Sequence, residues 1–130
     1  MSQQNILVVD DEPDIRNLVQ EILIDEGYQV SVAGDTSTAR QHAIKLQPDL
    51  VLLDIWMPGE DGISLLKDWQ KNGGISCPVV MMSGHGTVET AVEATRLGAF
   101  DFIEKPLTMA KLLVSVKRAL EAAQKHHENG

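Results

Sequence analysis

Short apolar runs alternate with segments of helical period five times along this chain, and that alternation constrains the fold more than any other feature. The runs are "NILVVD", "YQVSVA", "LVLLD", "PVVMM" and "AFDFI". Most are continuous rather than alternating, so both faces of those strands must be covered, as in a parallel sheet. Between the runs, Pro13 sits where a first helical turn tolerates it, and Ile15, Leu18, Val19, Ile22 and Leu23 follow at helical spacing as far as Gly27. Thr36 to Leu46 repeats the pattern weakly, with Ala39, Ala43, Ile44 and Leu46 inward. Ile63, Leu66 and Trp69 share a face before Gly73, Thr87 to Leu97 reads as a fourth helix, and Met109, Leu112, Leu113, Val116 and Leu120 mark a fifth. Connections this short admit only crossover units. The predicted fold is therefore α/β, a parallel sheet with helices on both faces in three layers.

Composition narrows the class. With 130 residues the chain can build one domain with a real core and has little room for a second. A net charge of −8 argues against a nucleic-acid surface, which needs clustered Lys and Arg. No run approaches the roughly 20 apolar residues of a membrane span. "MSQQN" lacks the basic and apolar regions of a signal peptide. Cys77 is the only cysteine, so an internal disulfide is excluded and a reducing, cytoplasmic compartment is expected. Residues 1–122 are expected to form the domain, and 123–130, a polar stretch, to be a tail or the start of a linker.

Ligands of open α/β sheets bind beyond the carboxyl ends of the strands. The first run ends in Asp10 and Asp11, the third in Asp54, the fourth in Ser83, and the fifth leads into Lys105-Pro106. Three carboxylates converging on one rim repel unless a cation joins them, and an all-oxygen set of this size suits magnesium better than calcium. Binding the ion should also stabilise the fold. An acidic first helical turn accounts for Glu12 and Asp14 without any ligand. Asp54 has no such account, because "DIWMPG" does not open a helix. Beside magnesium, Asp54 suits a nucleophile that attacks a phosphoryl group to give an aspartyl phosphate. Lys105 supplies a compact positive charge opposite it. Pro106 holds the preceding loop in a fixed shape, and a cis bond is one way to aim Lys105 inward. Ser83 offers a small hydroxyl to a phosphoryl oxygen, between glycines that leave its loop free to rearrange. His85, two residues past Ser83 at the mouth of the site, is a candidate for tuning the lifetime of the phosphoryl group.

"VVDDE", "LLDIWMPGEDG", "MSGHG" and "FIEKP", in that order, resemble a response-regulator receiver domain of bacterial two-component signalling over residues 5–120. The resemblance implies a flavodoxin-like (βα)5 fold with strand order 2-1-3-4-5. It implies Asp54 as phosphoacceptor, Asp11 as a direct magnesium ligand, Asp10 acting through water, and the backbone carbonyl of Trp56 completing the protein ligands. It also implies Ser83 as a hydroxyl switch, Lys105 as a phosphoryl-binding group and Phe102 as an aromatic switch. Ser83 lacks the methyl of the threonine often found there, and Phe102 lacks the hydroxyl of a tyrosine, so packing would carry that part of the signal. A histidine kinase would be the phosphoryl donor. The stretch from Met82 to Leu107 most resembles the NtrC-type subgroup, in which a receiver controls an AAA+ ATPase and a DNA-binding domain, neither present in this chain. The face of the fourth helix, fifth strand and fifth helix would repack, changing a homodimer or the hold on the output domain.

Four other readings share parts of this pattern. A magnesium-dependent phosphohydrolase carries its nucleophile on the first strand in a D-x-D pattern, whereas here it comes from the third. A nucleotide binder of the same architecture needs hydroxyls and amides where "DDEPD" would repel phosphate. A degenerate interaction domain would lack Asp54 or Lys105. A stand-alone receiver shares every site residue named above.

Overall fold

The computed structural model describes residues 4–57, 59–73, 75–84 and 88–129, with side chains described as far as residue 123. Five strands and five helices alternate: β1 (Asn5–Val9), α1 (Pro13–Asp25), β2 (Gln29–Ala33), α2 (Thr36–Leu46), β3 (Leu50–Asp54), α3 (Gly62–Asn72), β4 (Val79–Ser83), α4 (Val88–Arg96), β5 (Asp101–Glu104) and α5 (Met109–Asn129). The strands form one sheet in the order β2-β1-β3-β4-β5, every pair parallel. This is the expected doubly wound, flavodoxin-like topology.

The continuous apolar runs follow from two cores, one on each side of the sheet. Leu7, Val9, Val51, Leu53, Val79 and Met81 face α2, α3 and α4, where Ala39, Leu65, Leu66, Trp69 and Ala94 meet them. Ile6, Val8, Leu50, Leu52, Val80 and Met82 face α1 and α5, against Val19, Leu23, Leu112 and Val116. Successive side chains point to opposite faces of a strand, so a strand buried on both sides has no polar position to spare. β2, at the sheet edge, is only partly buried and accordingly keeps Gln29 and Ser31.

Helix faces depart from expectation in three places. Leu18 is 44% exposed, Ile44 73% and Leu46 38%. The buried stripe of α2 is narrow, made of Thr36, Ala39 and Ala43. Ile44 stands about 100° around the helix from Ala43 and points to water. α1 buries Val19 and Leu23, one turn apart, and Leu18 falls beside that line. Gly27 and Gly73 act as the expected stop signals, both with positive φ, while α2 ends on Gln47 in the left-handed region, a cap not singled out from sequence. At the other end of the chain, the polar segment expected to leave the domain continues α5 as far as Asn129.

Candidate functional site

Parallel pairing places the carboxyl ends of β1, β3, β4 and β5 along one rim. Asp54 ends β3 in register with Met82, and Ser83 ends β4 opposite Glu104. The ladder runs one step past the strands, with the Lys105 amide donating to the Ser83 carbonyl at 2.8 Å and the Ile55 amide to the Met82 carbonyl at 3.0 Å. Lys105 is thereby held beside β4, its side chain directed into the rim. The Lys105–Pro106 peptide bond is cis.

Asp10 is completely buried. Its Oδ1 accepts from the Glu12 amide at 2.9 Å, and its Oδ2 accepts from Lys105 Nζ at 2.9 Å. The same ammonium lies 3.4 Å from Asp54 Oδ1 and 3.6 Å from Glu12 Oε1. One partly buried cation therefore faces Asp10, Asp54 and the exposed Glu12, while Asp11 adds a further carboxylate to the cluster. Carboxylate oxygens of Asp10, Asp11 and Asp54 all lie within 4.8 Å of one another. Asp54 is 2% exposed. Burial first, and then the charge of Asp10, push its pKa up to about 6, with Lys105 offsetting only part of the effect. Burial acts to lower the pKa of Lys105, yet the hydrogen bond to Asp10 and the charges of Asp54 and Asp10 hold it above the ordinary value.

Among the described residues the carboxylates of this cluster outnumber the partly buried Lys105 that pairs with them, and each acid offers only oxygen, which fits a hard divalent ion. A compact, hydrated ion bound by one or two carboxylates matches magnesium chemistry. Asp10 already spends both oxygens on protein donors, which leaves Asp11 and Asp54 as the freer donors.

Of the residues singled out from sequence, Asp10, Asp11, Asp54 and Lys105 come together directly. Ser83 is fully buried beside them at the end of β4. Trp56 follows β3 with a side chain 53% exposed at the rim. Phe102 packs against the core from β5 and lines an open groove of about 660 Å³ between α4, β5 and α5 with Val88, Ala91 and Val114. His85 lies outside the described residues. Cys77 packs against the core, and burial pushes its thiol up to about 12.

Two supports of the site were not visible in sequence. Gly62 opens α3 directly against the backbone of Asp54: a Cβ there would stand 2.1 Å from the Asp54 carbonyl oxygen. A glycine that begins a helix, rather than ending one, is the available signal. The loop between β3 and α3 is tethered by Arg40 of α2, whose Nη1 and Nη2 meet Glu60 at 2.6 and 2.7 Å and whose Nε meets Asp68 at 3.0 Å. That fork holds the carboxyl of Glu60 below its usual range. No short-range spacing announces it.

Known proteins resemble this chain in sequence and in fold. The family model for the response regulator receiver domain matches residues 6–117. The nitrogen assimilation regulatory protein NtrX of Azorhizobium caulinodans is 48% identical over 126 residues, covering 95% of this chain and 28% of that protein. The chain thus spans about a quarter of the length of that curated relative. The crystal structure of the receiver domain of NtrX from Brucella abortus superposes with a TM-score of 0.83 at 51% identity, covering 89% of this chain and 98% of that one. The solution structure of the beryllofluoride-activated NtrC4 receiver domain dimer gives a TM-score of 0.85 at 35% identity, covering 92% and 98%.

Proposed function

The chain belongs to the response regulator receiver domain family, and from that premise we propose that it takes a phosphoryl group onto Asp54 at the rim and passes the change to its α4–β5–α5 face. The observation that carries this reading is the pairing of a buried Asp54 with Lys105 Nζ at 3.4 Å, beside two further aspartates within 4.8 Å. A domain whose site had decayed would have no reason to keep that cluster buried, since unshared carboxylates cost stability.

Receiver domains bind magnesium at such an acidic pocket, and here Asp11, Asp54 and the backbone carbonyl of Trp56 are the proposed ligands, with Asp10 acting through water. Bound there, the ion neutralises the carboxylates and screens the approach of an anionic phosphoryl group. The residues of the chain do the rest. A carboxylate oxygen of Asp54 attacks phosphorus, the bond from phosphorus to the donor nitrogen breaks, and the donor imidazole leaves with the electron pair. Lys105 exchanges part of its contact with Asp10 and Asp54 for a phosphoryl oxygen. The Ser83 hydroxyl donates to another. Phe102 then turns from the groove toward the space that Ser83 vacates, and the face lined by Val88, Ala91 and Val114 repacks. Phosphorylation thereby shifts a population between two arrangements of that face.

A sensor histidine kinase is the proposed donor. The relatives are NtrX- and NtrC-like regulators, so the proposed readout is transcription through AAA+ and DNA-binding domains of a longer protein. A homodimer through α4–β5–α5 is the proposed intermediate, and the dimer in the name of the NtrC4 receiver structure supports it. No helix among the described residues is long and apolar enough to cross a membrane, which agrees with the proposed cytoplasmic location.

Intact mass after incubation with acetyl phosphate tests the reading. A single phosphoryl adduct is expected in the presence of magnesium and is lost on chelation or in Asp54→Asn. A folded wild-type protein that takes no adduct would point instead to an interaction domain without phosphoryl chemistry.

A further inference from the structure

Arg16 occupies the first turn of α1, where the helix dipole disfavours a cation. Its guanidinium does not turn to solvent. Nη1 donates to the main-chain carbonyl of Asp10 at 2.8 Å. The space it enters exists because residue 34, directly after β2, has no side chain: a Cβ on Gly34 would stand 2.8 Å from Arg16 Nη1 and 3.5 Å from Cζ. The amide of Asp10 meanwhile donates to the Ala33 carbonyl at 3.0 Å. Asp10 is therefore gripped by its amide, its carbonyl and both carboxylate oxygens.

The carbonyl held by Arg16 belongs to the planar peptide that joins Asp10 to Asp11. Fixing that plane fixes the direction in which the chain enters Asp11, the acid of the cluster with the fewest protein partners among the described residues. We propose that Arg16, seated in the slot left by Gly34, is a positioning residue that aims Asp11 for cation binding. The inference rests on the reading of the rim as a magnesium site and names two residues that support it from outside the cluster.

Magnesium titration calorimetry on the whole chain tests it, because simple electrostatics predicts the opposite sign. Deleting a positive charge near several carboxylates should tighten cation binding, whereas loss of positioning should weaken it. Arg16→Ala is expected to weaken magnesium binding roughly tenfold, the scale seen when outer supports of a metal ligand are removed. Gly34→Ala changes no charge but fills the slot, and is expected to weaken binding to a similar degree. In the double variant the two losses should not add, since both break one contact. Thermal unfolding without metal monitors the fold, and Gly34→Ala carries the test alone should Arg16→Ala fail to fold. Folded variants that bind magnesium as well as or better than wild type would overturn the inference, as would fully additive losses. Absence of magnesium binding in the wild type would overturn the reading of the rim itself, and the inference with it.

Discussion

In its proposed role as phosphoacceptor, Asp54 meets two opposed demands, since it must be buried to exclude water from a reactive acyl phosphate and ionised to act as a nucleophile. Burial and the neighbouring Asp10 push its pKa up to about 6 in the metal-free chain. A pKa raised on folding means that the protonated form favours the native state. That stabilisation is complete below the unfolded carboxylate value near 4 and is lost as pH rises through about 6. Asp54→Asn removes the penalty of the ionised acid. Urea denaturation with a chelator present should show the variant more stable than wild type by roughly 1–3 kcal/mol at about pH 8, with little difference at about pH 4. A variant less stable than wild type at the higher pH would mean that Lys105 outweighs burial at this position. The acids themselves could be read from sequence because each ends or directly follows an apolar strand run. The contact of Glu12 with Lys105 could not, since 93 positions of sequence separate the pair and only the fold brings them to 3.6 Å.

At the scale of the element, the junction of β3 and α3 decides whether Asp54 is held in place. Gly62 donates its amide to the Ile55 carbonyl at 2.8 Å and approaches the Asp54 carbonyl too closely for any side chain. Gly62→Ala must push the start of α3 off the rim. Overpacking of this kind costs about 1–3 kcal/mol, so denaturation should report that loss, together with slower phosphoryl uptake from acetyl phosphate. An alanine variant with wild-type stability would show that α3 can shift without strain. The strands could be recognised in sequence because coverage on both faces leaves unbroken apolar runs. The helix faces were harder to read. A narrow stripe of Thr36, Ala39 and Ala43 is enough to seat α2, so Ile44 carries apolar character without burial. The end of α5 was also obscured, because a polar stretch can continue a helix after the core contacts end.

For the whole molecule, the strand order sends the acids of β1 and β3 and the lysine after β5 to one rim, while Phe102 reaches the face between α4 and α5. Asp101, at the start of β5, ties that strand to α5: its Oδ1 accepts from the Phe102 amide at 2.8 Å and its Oδ2 from the Ser115 hydroxyl of α5 at 2.7 Å. The rim chemistry follows from residues that end strands. The slot between Arg16 and Gly34 and the fork of Arg40 on Glu60 needed the folded chain, because each joins elements that no local pattern relates. The central claim is that Asp54 itself carries the phosphoryl group. The most direct measurement is hydride reduction of the acetyl-phosphate-treated protein, which converts an aspartyl phosphate to homoserine, followed by peptide mass mapping. Homoserine at position 54, only when magnesium was present, is the predicted result. Homoserine at Asp10 or Asp11, or none at position 54 despite a phosphoryl adduct, would contradict the assignment.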